Sequence, residues 1–184
     1  MSLSLSCNQS HIPDDCCSVS RIWILQAHTD NPHLQLGLIF SLRTLLRRLS
    51  QIIREQKGLT YGVYSYLQLD DKAPLIVVGF SATKDKFAEA DKLFEEQWRE
   101  FGKNGITQEE LDKAKKYLTA SNNLRFVSIK NISVMLTAMQ KYNLGLDFLQ
   151  KRNEYINQIS LEKVNQVIKK YFVPQMISVE IGSF

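Results

Sequence analysis

Between Leu49 and Tyr66 the hydrophobic period changes from that of a helix to that of a strand across one glycine, and this change constrains the fold more than any other stretch. Leu49, Ile52 and Ile53 fall at helical spacing, and Arg54 and Lys57 sit where the last turn of a helix favours cations. Gly58 follows directly, at the position where a left-handed C-terminal cap is wanted and only glycine adopts it without strain. From there the period is two, with Leu59, Tyr61, Val63 and Ser65 on one face and Thr60, Gly62, Tyr64 and Tyr66 on the other. Arg54 therefore leaves a helix end, Tyr61 leaves a strand start, and a tight turn at Gly58 holds them near each other. A guanidinium fork and a phenol are both donors suited to carbonyl or carboxylate oxygens.

The rest of the chain supplies a domain around this hinge. Residues 1–18 carry Pro13 and two aspartates and read as a disordered or tag-like segment, which leaves 19–184 as one domain. Ser20 to Ala27 reads as a strand, and Asp30 or Asn31 with Pro32 as the start of a long helix from Leu34 to Gln56. Asp70 to Pro74 reads as a loop between antiparallel strands, and Leu75 to Ala82 as a near-continuous apolar strand central in its sheet. Thr83 is placed to cap a helix whose core stripe is Phe87, Ala90, Leu93, Phe94, Trp98 and Phe101. Thr107 and Glu110 form a capping box for a helix buried through Leu111, Ala114, Leu118 and Ser121. Helices over Ile129–Asn143, Leu146–Asn157 and Leu161–Tyr171, the last capped by Ser160, precede a final strand from Met176 to Ile181. This order implies an α+β fold, an antiparallel sheet with several helices packed on one face.

Composition and residue inventory exclude several function classes. A length of 184 residues suits one domain, and a net charge of +4 is too small for a nucleic-acid footprint. No apolar run is long enough for a membrane span: Leu34 to Leu46 is too short and contains Arg43. Cys7, Cys16 and Cys17 form neither a disulfide framework nor a Cys-x-x-Cys site. The first residues lack the charged and apolar regions of a signal peptide, which leaves the compartment open. Hydrolytic zinc chemistry needs imidazoles and a carboxylate on the metal, but His11, His28 and His33 have no such spacing with an acid between them. No nucleophile elbow, phosphate loop or dinucleotide fingerprint is present. No catalytic residue and no bound metal is therefore expected on this chain.

The stretch Arg54-x-x-x-Gly58-Leu59-x-Tyr61 resembles the signature in the non-catalytic half of pitrilysin/insulinase-type zinc peptidases, the family that includes mitochondrial processing peptidase. The resemblance continues through Gly105-Ile106-Thr107-Gln108-Glu109-Glu110-Leu111, the Leu161–Tyr171 helix and Pro174, and covers roughly Leu49 to Gly182. Arg48-Leu49 matches an Arg-Leu pair of the family. The glycine- and serine-rich bend that usually precedes that pair is replaced by an apolar run from Leu38 to Leu46, with only Gly37 nearby. The resemblance implies that Arg54 and Tyr61 bind substrate by gripping a peptide carbonyl, with Gly58 as the structural turn between them. It implies zinc on a partner, a zinc-bearing catalytic half on a separate chain or a missing domain, and a chain inactive on its own. A homodimer is compatible with it. Spacing alone favours a structural role instead, with Arg54 capping a helix end and Tyr61 satisfying a neighbour. A scaffold subunit of the same fold with no part in proteolysis is the alternative function. Under the peptidase reading, Leu59–Leu67 or Leu75–Ala82 can also serve as an edge that pairs with an extended peptide.

Overall fold

In a computed structural model, residues 2–6, 18–26, 32–68, 75–121, 126–141, 143–173 and 176–182 are described. The expected loop at Asp70–Pro74, the cap at Asp30 or Asn31, all three cysteines, His11 and His28 lie outside them. The sheet is built from β1 (Ser2–Ser6), β2 (Ser18–Gln26), β3 (Gly62–Gln68), β4 (Leu75–Thr83) and β5 (Ile177–Gly182), in the order β1-β5-β2-β4-β3. Every pairing is antiparallel except β1 with β5, which is parallel. The helices are α1 (Pro32–Leu49), α2 (Lys84–Asn104), α3 (Gln108–Ala120), α4 (Ile129–Lys141), α5 (Phe148–Gln158) and α6 (Leu161–Tyr171). The fold is α+β, as the element order implies.

β4 reads as central because it is: it lies between β2 and β3, and Ile76 to Phe80 are buried. A strand buried on both faces and paired on both sides has no reason to alternate in polarity. The same position corrects one expectation, since β4 has no free edge on which to accept a peptide. β3 and β1 are the edge strands. A second correction concerns the N-terminus. Ser2–Ser6 pairs with β5, so part of the segment expected to be disordered is a strand. Its sequence, Ser-Leu-Ser-Leu-Ser, is a strict period of two in only five residues.

The core lies between the helices and one face of the sheet. From β4, Ile76, Val78, Phe80 and Ala82 point into it, together with Trp23 of β2. The α2 stripe meets them as its spacing requires. Phe94 stacks on Trp23 at 3.7 Å between centroids, and Trp98 and Phe101 close on Phe172 at 4.9 and 5.1 Å. The indole Nε1 of Trp98 donates to the Val173 carbonyl at 3.0 Å, so its polar atom is satisfied inside the core. Arg21 of β2 pairs with Asp91 of α2 and Glu180 of β5, which pins helix and sheet together at their margin.

The apolar run from Leu38 to Leu46 lies within α1 as a packed helix. Leu38, Phe40, Leu42 and Leu45 are fully or almost fully buried, and α1 contacts α6, β3 and α3. Gly37 is the one small residue this needs: a Cβ there would lie 2.8 Å from Val167 Cγ2 of α6. The two helices therefore cross closely at that point. The helices expected over 129–143 and 146–157 run over 129–141 and 148–158, and Asn143, at φ 50°, takes the left-handed conformation between them. Thr83 stands at the start of α2 without a side-chain capping bond, whereas Thr107 with Glu110 and Ser160 cap α3 and α6 as expected.

Candidate functional site

The helix expected to run unbroken to Gln56 widens after Leu49. Ser50–Gln56 is π-helical, and the Lys57 N–H reaches the Ile52 carbonyl, five residues back, at 3.2 Å. A π-turn leaves an extra residue on the helix surface and is frequent at functional sites. Ile53 anchors the segment in the core, while Arg54 on the same turn is exposed. Gly58 then takes φ 62°, its N–H bonds the Arg54 carbonyl at 3.1 Å, and the Leu59 N–H reaches the Ile53 carbonyl at 2.9 Å. No heavy atom lies within 4 Å of where a Gly58 Cβ would be, so conformation, not space, demands glycine here.

The chain leaves this turn tied to the sheet. The hydroxyl of Thr60, a buried residue, donates to the Ser81 carbonyl at 2.6 Å, and the Tyr61 N–H donates to the same oxygen at 3.2 Å. Lys86 of α2 donates to the Gly58 carbonyl at 3.2 Å. The backbone of Tyr61 is thus fixed while its side chain is 71% exposed. Val63 packs on the core and Ser65 donates to the Leu42 carbonyl of α1, so these side chains turn toward the helices. Among the described residues, neither the guanidinium of Arg54 nor the hydroxyl of Tyr61 has a hydrogen bond or ion pair. Arg54 does lie in the last turn of the π-helical segment, where a cation suits the helix end, while the Tyr61 hydroxyl satisfies no neighbour among the described residues.

Arg48, six residues before Arg54, is the group that sequence reasoning missed. Its Nε and one Nη donate to the two carboxylate oxygens of Glu110, each at 2.6 Å, and that Nη also donates to the Gly105 carbonyl at 3.1 Å. Glu110 is at once the third residue of the α3 capping box and the acceptor of this bidentate fork. Burial pushes its pKa up, but the bonds from Arg48 and from Thr107 outweigh that and leave it below the usual carboxylate value. The clamp fixes the end of α1, and hence the π-helical segment, against the start of α3. The Arg-Leu pair was the available signal; its carboxylate partner is 62 residues away in sequence.

Among the described residues no group of three or more His, Cys, Asp and Glu could hold a metal ion. No helix among them is long and apolar enough to cross a membrane. Residues 25–118, which carry the Arg48 clamp, Arg54, Gly58 and Tyr61, match the peptidase M16 inactive domain. The chain belongs to that family. This M16 inactive domain is 35% identical over 127 residues to a Helicobacter pylori protein described as non-peptidase homolog YmxG, covering 67% of this chain and 29% of that protein. It is 27% identical over 128 residues to a Bacillus subtilis protein described as uncharacterized zinc protease YmxG, covering 68% of this chain and 31% of that one. The M16 inactive domain from Pseudomonas fluorescens superposes on all of this chain, and 43% of itself, with a TM-score of 0.82 at 25% identity. The superposition includes residues 20–48, where the sequence departs from the family pattern. The M16 inactive domain described here thus spans about three-tenths of the curated relatives' length and less than half of the solved one.

Proposed function

We propose that this domain binds and positions a peptide for cleavage by a separate zinc-bearing half, with Arg54 and Tyr61 as its substrate-binding residues. The observation that carries the reading is the pair of exposed donor side chains, without internal partners, on the two arms of a turn held by a left-handed glycine. The guanidinium and phenol donate to the scissile or an adjacent carbonyl oxygen, which places the peptide and stabilises the charge that develops there in the transition state. Zinc and the base that activates water belong to the partner. β3, an edge strand beginning beside Tyr61, offers main-chain groups to an extended substrate.

Reconstitution tests this directly. With the zinc half present, Arg54→Ala or Tyr61→Phe lowers peptide turnover by about tenfold to thousandfold, while the melting temperature of the isolated domain stays as in the wild type. Turnover unchanged in both variants removes the assigned role.

The second reading is a scaffold that keeps the fold without a part in proteolysis, and the description of the Helicobacter pylori relative as a non-peptidase homolog favours it. A pure scaffold does not raise peptide cleavage when mixed with the zinc half, whereas a positioning domain does.

A further inference from the structure

α1 and α3 pack side by side, and between them lies a recess of about 440 Å³ lined by Arg43, Arg47, Glu110, Lys113, Lys116, Tyr117 and the buried Thr44. Arg43 and Arg47 are one turn apart on α1, and Lys113 and Lys116 one turn apart on α3, so both helices direct cations into one space. Four cations, Arg43, Arg47, Lys113 and Lys116, line the recess with one carboxylate, Glu110, and Glu55 borders the adjoining recess beside Arg43 and Arg47. Glu110 is already engaged by Arg48, and Glu109 by Lys113, with Arg47 close enough to lower the Glu109 pKa further. Arg43, Arg47 and Lys116 have no ion pair among the described residues. Arg43 is held in place by stacking, its guanidinium carbon 3.6 Å from the centroid of the Tyr117 ring.

The floor of the recess carries an independent sign. Thr44 is 4% exposed, and its Oγ1 is buried without a hydrogen-bond partner among the described residues. A hydroxyl left dry costs stability unless something supplies an acceptor. The hydroxyl of Ser41, on the same helix, bonds the carbonyl four residues back, whereas that of Thr44 does not.

We propose that this recess binds a small multivalent oxyanion, of the oligophosphate or polycarboxylate class. Arg43 and Arg47 supply planar forks, Lys113 and Lys116 supply point charges, and Thr44 Oγ1 donates to the innermost oxygen. The volume falls within the range of small-molecule sites. The site is separate from the peptide role of Arg54 and Tyr61 and stands without it.

Calorimetric titration of the whole chain with sodium tripolyphosphate, and separately with citrate, at about 50 mM salt tests it. Saturable one-to-one binding is expected for at least one of them, and the tighter of the two identifies the class. Arg47→Gln, at an exposed position, weakens that binding by about tenfold or more. Thr44→Val weakens it severalfold while raising the melting temperature of the unliganded chain, because the variant removes the dry hydroxyl. Lys92→Gln, an exposed charge on α2 outside the recess, leaves binding unchanged. Absence of saturation with both anions overturns the proposal. So does equal loss in Lys92→Gln and Arg47→Gln, which marks bulk charge attraction, and so does undiminished binding in Arg47→Gln and Thr44→Val.

Discussion

Gly58 shows how a single residue sets the geometry of the site. Its φ of 62° is the left-handed region, and no neighbouring atom crowds the missing Cβ. Alanine there meets only the intrinsic penalty for that conformation, about 1–2 kcal/mol, partly offset because alanine also narrows the unfolded ensemble by about 0.4–1 kcal/mol. Gly58→Ala is therefore expected to destabilise the domain by about 1 kcal/mol, which lowers Tm by about 2–4 °C for a chain of this size. Gly58→Asn, whose side chain tolerates the left-handed region, loses less. Thermal melts of the two variants beside the wild type decide the matter, and identical Tm values for all three would show that the turn does not depend on this conformation. The need for glycine was legible in the sequence because a helical period ended and a strand period began on either side of it. The solvent-facing state of Arg54 and Tyr61 was not, since whether a donor has an internal partner depends on side chains brought in from elsewhere in the fold.

Among the elements, the local ones were legible and the non-local ones less so. α2, α3 and α6 declare themselves through three- and four-residue spacing and capping residues, which are properties of contiguous sequence. The π-helical widening of Ser50–Gln56 is not such a property. The segment is bounded by the Arg48 clamp on one side and the Gly58 turn tied to Ser81 and Lys86 on the other. The pairing of β1 with β5 likewise comes from a contact across almost the whole chain, whereas the central place of β4 was legible in its near-continuous apolar run. The α1–α3 clamp carries a prediction in pH. The folded Glu110 carboxyl titrates below its ordinary value, so its stabilising contribution is fully present above the unfolded pKa of about 4.3 and is lost as pH falls through the folded value. Glu110→Gln keeps an acceptor for the Thr107 N–H but removes the charge opposite Arg48. Its urea midpoint should fall short of the wild type near neutral pH, and the gap should close as pH drops below about 4. A gap that persists unchanged into acid would mean that charge contributes nothing to the clamp.

At the scale of the whole molecule the proposed function puts the metal on the partner and not on this chain. The helices cover one face of the sheet, and the exposed donors Arg54 and Tyr61 stand at the end of the chain's first helix–strand unit, with no metal-ligand cluster among the described residues. Under the proposed function, in which this domain supplies substrate contacts and its partner the metal, the fold should be indifferent to zinc and the reaction dependent on it. Chelation separates these two properties. A strong chelator added to the isolated chain is expected to leave its Tm unchanged, because a metal that stabilises a native state does so only by binding it. The same chelator added to the mixture with the zinc half should abolish peptide cleavage, and restoring zinc should recover it without altering the melting of this chain. A fall in Tm of the isolated chain on chelation would place metal ligands on this chain itself. Cleavage that survives chelation in the mixture would deny zinc any part in the proposed reaction.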